Sequence, residues 1–146
     1  MKLSEILSGI SDLKAKGNVD IDIENIAYDS RKVTPESLFV AVTGYDSDGH
    51  DYIQEAIQKG AAAILLENVN KIRDMVLPAD VTFIVTTNTR YALAIAACNF
   101  YRNPSRKFKL IGVTGTKGKT TTTYMIKTLL EAQNKKVGLI GTIENY

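Results

Sequence analysis

Apolar and polar positions along the chain alternate between strand-like and helix-like periods. Residues 4–7 predict a short opening helix with Ser4 as its cap. Ile26 and Tyr28 then alternate with polar neighbours, as in a half-exposed strand. Residues 38–42 form an unbroken apolar run, the mark of a strand buried on both faces. Asp51 and Gln54 have the spacing of a helix cap and a residue reaching back to it. The helix they predict carries Ile53, Ala56 and Ile57 on one face and stops at Gly60. Residues 62–66 and 82–86 predict two more buried strands, with a short helix near 71–76 ahead of Pro78. Thr89 is placed to cap a helix whose apolar stripe runs Leu93, Ala96, Ala97, Phe100, and Asn103 with Pro104 ends it. Strand alternating with helix predicts an α/β fold with a mostly parallel sheet.

Residues 104–109 are polar, basic and turn-prone, and they predict a domain boundary: 1–105 as one domain, 106–146 as the start of a second. The second segment reads as a βαβ unit, with a strand at 110–114, a glycine loop, a helix at 119–133 and a strand at 137–141. Two strands are few for an independent sheet. The expectation is therefore an incomplete second domain, cut from a longer protein.

Charge changes the picture little. Eighteen basic residues against 16 acidic ones give a net charge of +2, which offers no field for nucleic acid or an anionic membrane. The basic residues Arg102, Arg106, Lys107 and Lys109 read as a solvated linker. The single cysteine, Cys98, fits a reducing compartment and sits among alanines and Ile95, so it is expected as a buried small apolar residue. The first residues lack the apolar core of a secretion signal, and no run reaches the roughly 18 residues needed to span a bilayer. A cytoplasmic protein is predicted. His50 is the only histidine, and a surface-loop or capping role is expected of it. Asp46, Asp48 and Asp51 lack the spacing of a twelve-residue calcium loop and read as solvated acids. Tyr91, Phe100, Tyr101 and Phe108 read as domain-packing aromatics.

The candidate chemistry lies in residues 110–123, LIGVTGTKGKTTTT. Gly115 and Gly118 let the backbone curl so that successive N–H groups face an anion, and the helix that follows adds its positive end. Thr116, Lys117 and Thr121 supply further loop and helix donors. Lys119 is placed to reach the β- and γ-phosphates of ATP, and the Thr120 hydroxyl to bind Mg²⁺. The full phosphate-loop pattern wants glycine at position 113, where this chain has Val113. Four consecutive threonines are poor helix starters, an exception of the kind functional sites tolerate.

These residues resemble the shorter ATP loop of the Mur ligases, enzymes of peptidoglycan precursor synthesis, which accounts for the missing glycine. DSRKVTPESLFVAVTG at 29–44, DGHDYIQEAIQKGA at 48–61 and GLIGT at 138–142 are similar to further signatures of that family. Within it, Gly115 with Thr116 and Gly141 with Thr142 resemble the member that adds the third peptide residue more than the member that adds D-Ala-D-Ala. The resemblance implies that residues 1–105 bind the UDP part of UDP-MurNAc-L-Ala-D-Glu and that 106–146 begin the ATP domain. It implies transfer of the ATP γ-phosphate to the D-glutamate carboxylate, then attack on the acyl phosphate by the amine of diaminopimelate or lysine. It further implies a monomeric full-length enzyme and inactivity of the present chain alone. Lys119 is the implied catalytic residue. Ser30, Tyr45, Asp46 and Ser47 match positions where the family contacts the uridine nucleotide. Lys117 stands where the family usually has Asn.

Taken without the resemblance, Asp29, Ser30 and Arg31 read as a turn with Arg31 paired to Asp29. Three further functions stay open: a D-Ala-D-Ala-adding ligase, a non-catalytic nucleotide-sugar-binding module, and a general phosphate-loop kinase or NTPase.

Overall fold

In the computed structural model, residues 1–45 and 47–141 are described. They divide into two compact units, one ending at Lys107 and one beginning at Phe108.

The first unit is built on a five-stranded sheet in the order β1-β5-β4-β3-β2. Its strands are β1 (Lys14–Lys16), β2 (Asn25–Ala27), β3 (Ser37–Val40), β4 (Ala61–Leu66) and β5 (Thr82–Val85). β2 through β5 run parallel, and β1 pairs antiparallel with β5. Side chains along a strand point alternately to opposite faces, and here both faces are covered. Leu38, Val40, Leu65 and Ile84 face one core with the helices α1 (Leu3–Ile6) and α3 (Thr89–Phe100), which contribute Leu3, Ile6, Ala92 and Ala96. Phe39, Ile64, Leu66 and Phe83 face a second core with Ile53 and Ala56 of α2 (Ile53–Gln58). This explains why the central strands read as continuous apolar runs.

Several helix starts differ from expectation. Ser4 caps nothing: the N–H groups of Leu3 and Ser4 are taken by the carbonyls of Ile21 and Val19. The turn before α2 starts at Asp48 rather than Asp51, as the 3-10 segment Gly49–Tyr52, because the Asp48 side chain accepts from the His50 N–H. Asn88, not Thr89, caps α3 through the Tyr91 N–H. Thr89 is otherwise engaged, giving both its N–H and its hydroxyl to Glu67. The helix expected near 71–76 is only the 3-10 turn Val69–Ile72, with Ile72 buried and Val76 left in solvent. β1 has no apolar alternation to betray it: all three residues are exposed. Its two lysines suit a sheet edge that must not recruit another strand.

Cys98 is exposed, not buried. On α3 it lies away from the buried stripe of Ala92 and Ala96.

The second unit is organised around α4 (Lys119–Glu131). The runs 110–114 and 137–141 flanking it are not strands. Leu110, Ile111 and Ile140 are largely exposed, and of the residues 137–141 only Leu139 is buried.

Candidate functional site

In the second unit, Gly115 and Gly118 take φ of +152° and +76°, values that favour glycine. A Cβ on Gly118 would meet nothing, so backbone conformation, not crowding, requires glycine there. Gly118 is the N-cap of α4, yet no side chain caps the helix and its first turn carries no acid. A helix start of this kind leaves N–H donors and a positive dipole end without a protein counter-charge. Lys119 adds a cation at the same place and donates to the Gly115 carbonyl at 2.6 Å, which closes the loop on itself. Thr116, Lys117 and Thr121 are exposed, and Thr120 is half-buried. Thr123 satisfies its hydroxyl on the Thr120 carbonyl at 2.8 Å, the back-bonding by which a threonine inside a helix finds a partner on the preceding turn. This donor set fits a polyphosphate, and a threonine hydroxyl at the helix start suits a hard cation such as Mg²⁺.

In the first unit, the carboxyl ends of the parallel strands collect the other candidate residues. Ligands of open α/β sheets bind outside this edge. After β2, Asp29 grips Arg31 through both carboxylate oxygens, at 2.9 and 2.8 Å. That bond, joined by the Arg31 backbone N–H, pulls the Asp29 carboxyl down to about 2. The ion pair expected of a simple turn is therefore present. Ser30 between them is buried, and its hydroxyl donates to Glu55 Oε2 at 2.9 Å. Lys59 pairs with Glu55 at 2.6 Å and also donates to the Ser30 carbonyl at 3.0 Å. Lys59 first, and Ser30 second, hold the Glu55 carboxyl below its ordinary range. Glu55 thus fixes the Ser30 hydroxyl, whose remaining acceptor capacity is open to a ligand donor.

After β3 the chain turns back on itself between Thr43 and Asp48. Thr43 and Asp48 bridge antiparallel, and the Gly44 N–H donates to the Ser47 carbonyl at 2.8 Å. Tyr45 is fully exposed in this turn and Ser47 is exposed. Asp46 lies outside the described residues. Gly49 follows at the end of β3 with its N–H on the Val42 carbonyl at 3.0 Å. A Cβ there would lie 2.7 Å from the Val42 backbone, so the close approach requires glycine.

Of the surface-loop or capping role expected of His50, the surface half fails, since it is 3% exposed, while a capping role stands. Its Nε2 accepts the N–H groups of Glu67 and Asn68 at 3.1 and 3.2 Å, so the ring proton sits on Nδ1 and is donated to Asp48 Oδ1 at 2.6 Å. Burial works against the Asp48 charge, but the backbone and ring hydrogen bonds of His50 prevail and lower the carboxyl below its usual value. Asp48 and Asp51 are not simply solvated, for both lie beside the Lys71 ammonium, at 3.6 and 2.6 Å. Asp51 foremost raises the pKa of Lys71.

Two further residues here have no local sequence signal. Arg90, on the first turn of α3, donates to the Thr43 carbonyl at 2.6 Å from 47 positions away. Asp12 takes the Thr86 hydroxyl and the Thr87 N–H and hydroxyl; the Thr87 hydroxyl is the main reason its pKa falls.

Residues 22–101 match the model described as "Mur ligase family, catalytic domain", and residues 113–146 match "Mur ligase middle domain". The chain belongs to the Mur ligase family. Among curated relatives it is 51% identical over all 146 residues to a UDP-N-acetylmuramoyl-L-alanyl-D-glutamate--2,6-diaminopimelate ligase of Clostridium tetani, spanning 30% of that protein. A ligase of the same description from Alkaliphilus metalliredigens is 50% identical, again over the whole chain and 28% of the relative. The chain thus spans less than a third of the length of these relatives. A solved diaminopimelate ligase shares the fold across 100% of this chain and 28% of its own, with a TM-score of 0.72 and 23% identity. A MurF ligase from Thermotoga maritima in complex with ADP is 33% identical, covering 75% of this chain and 24% of its own, with a TM-score of 0.55. Among the described residues no helix is long and apolar enough to cross a membrane.

Proposed function

We propose that the chain is the part of a cytoplasmic, monomeric peptidoglycan-precursor ligase that recognises the uridine nucleotide and opens the ATP site. Residues 1–105 form the substrate-nucleotide domain and 106–146 begin the ATP domain. The reaction is addition of a third residue to UDP-MurNAc-L-Ala-D-Glu, and the printed names of the relatives favour 2,6-diaminopimelate. The observation that carries this reading is identity near 50% over all 146 residues, a span that takes in both the sheet-edge loops and the phosphate loop. A D-Ala-D-Ala-adding ligase is the weaker reading, since the MurF structure stands at 33% identity.

When bound, ATP with Mg²⁺ supplies the phosphoryl group that activates a carboxylate for amide formation. This chain's residues bind and orient. Gly115, Thr116, Lys117, Gly118 and Thr121 present loop and helix N–H groups to the polyphosphate, and Thr120 offers its hydroxyl to the cation. Lys119 is the catalytic residue, setting positive charge where negative charge gathers in phosphoryl transfer. In the first domain, Ser30 and the loop of Tyr45, Asp46 and Ser47 hold the uridine nucleotide outside the strand ends.

The test is Lys119→Ala in the full-length ligase. Turnover should fall by about 10²-fold or more, while UDP-substrate affinity stays within about twofold. Equal loss of both would mean the two sites are misplaced.

A further inference from the structure

The hairpin whose feet are Thr43 and Asp48 carries three of the four residues assigned to uridine-nucleotide contact, yet its described loop residues have no core of their own: Thr43, Gly44, Tyr45 and Ser47 are all exposed. What it has is two fixed feet. The Asp48 foot is held by the buried His50 ring, itself locked to the end of β4 through two backbone N–H groups. The Thr43 foot is held on its main chain by Arg90, which reaches across from α3 to the Thr43 carbonyl at 2.6 Å, and more loosely by its own hydroxyl, 3.3 Å from Asp48 and 3.5 Å from Glu67. Arg90 projects from a helix start that is itself immobilised, because Glu67 takes both the N–H and the hydroxyl of the buried Thr89.

We propose that Arg90 is a positioning residue for nucleotide recognition, pre-ordering the hairpin so that its tip meets the ligand in binding geometry. This rests on the uridine-nucleotide assignment made above. The argument is one of location and cost. An exposed hydrogen bond between Arg90 and Thr43 buries no apolar surface, and holding a long side chain in one rotamer costs entropy. Its effect falls on the segment it holds, and rigidifying a binding loop raises affinity by removing the ordering cost from the binding step. The two clamps differ in kind: removing His50 opens buried structure, whereas removing Arg90 takes away only the short exposed bond to the Thr43 main chain and leaves the long hydroxyl contacts of Thr43 to hold that foot. Arg90 is therefore the residue at which loop order and folding separate.

The experiment uses this chain, its Arg90→Met variant, which keeps the aliphatic stem, and its Arg90→Lys variant, which keeps a flexible cation. Three quantities are read: amide hydrogen exchange at Gly44, whose N–H is bonded to the Ser47 carbonyl, Kd for UDP, and the thermal midpoint. In Arg90→Met, exchange at Gly44 should quicken by about tenfold and UDP should bind about tenfold more weakly, with the midpoint unchanged. Arg90→Lys should fall between in both, because one mobile donor replaces the planar fork. Faster exchange with unaltered Kd would overturn the proposal, since loop order would not serve binding. Weaker binding with unaltered exchange would also overturn it, by showing that Arg90 acts on the ligand directly. A parent chain that ignores UDP would remove the nucleotide assignment itself, and the proposal with it. That failure shows in the parent before any variant is compared.

Discussion

At His50 both ring nitrogens are committed, one to Asp48 and the other to two backbone N–H groups at the end of β4. Unmade hydrogen bonds of partly buried donors cost about 1–3 kcal/mol. His50→Ala should therefore lower unfolding free energy by about 1–3 kcal/mol, read by urea denaturation. His50→Gln, which keeps an acceptor near the Nε2 position, should lose less. Asp29 gives a pH prediction. Its folded carboxyl sits at about 2 against an ordinary 3.8, held by Arg31. A depressed carboxylate contributes stability above its unfolded pKa and loses it as pH falls through the folded value. That contribution is thus complete above about pH 4 and fades toward pH 2. Carboxyl NMR should place Asp29 near 2 in the parent and back toward 3.8 in Arg31→Gln. The sequence carried the Asp29–Arg31 pair openly, two positions apart. The burial of His50 it did not carry, because the partners that bury it lie 17 and 18 positions away.

Strands and helices separate by how completely they are covered. β4 is the middle strand of the sheet, and Leu65 within it is fully buried. Leu129 on α4 is 68% exposed. Leu65→Ala should cost about 2–5 kcal/mol through lost transfer energy and the cavity left behind. Leu129→Ala should fall within about 0.5 kcal/mol of the parent in the same denaturation experiment. The buried strands were legible for the reason this contrast holds: an unbroken apolar run is what a strand covered on both faces needs. Local capping chemistry misled wherever a tertiary partner had already claimed the residue. Thr89 could have capped α3, but Glu67 holds it and Asn88 caps instead. β1 was invisible because an exposed edge strand of three residues leaves no apolar period.

Across the whole molecule, the glycine loop and the helix start at Lys119 were legible in the sequence, since the glycines that shape them are local and contiguous. The strands expected on either side of it did not form, because a ladder depends on neighbours and not on composition. The sheet edge was legible only in part. Ser30 and the tip residues came from resemblance, whereas the hydrogen bonds of Arg90, His50 and Glu67 along that edge became apparent only once strands distant in sequence stood side by side. The central claim is that the first unit recognises a uridine nucleotide at this edge. Amide NMR of the chain titrated with UDP tests it most directly. Saturable shifts should appear at Ser30, Gly44, Tyr45 and Ser47, with the amides of residues 115–121 left in place. Shifts confined to 115–121, or none at the sheet edge, would contradict it.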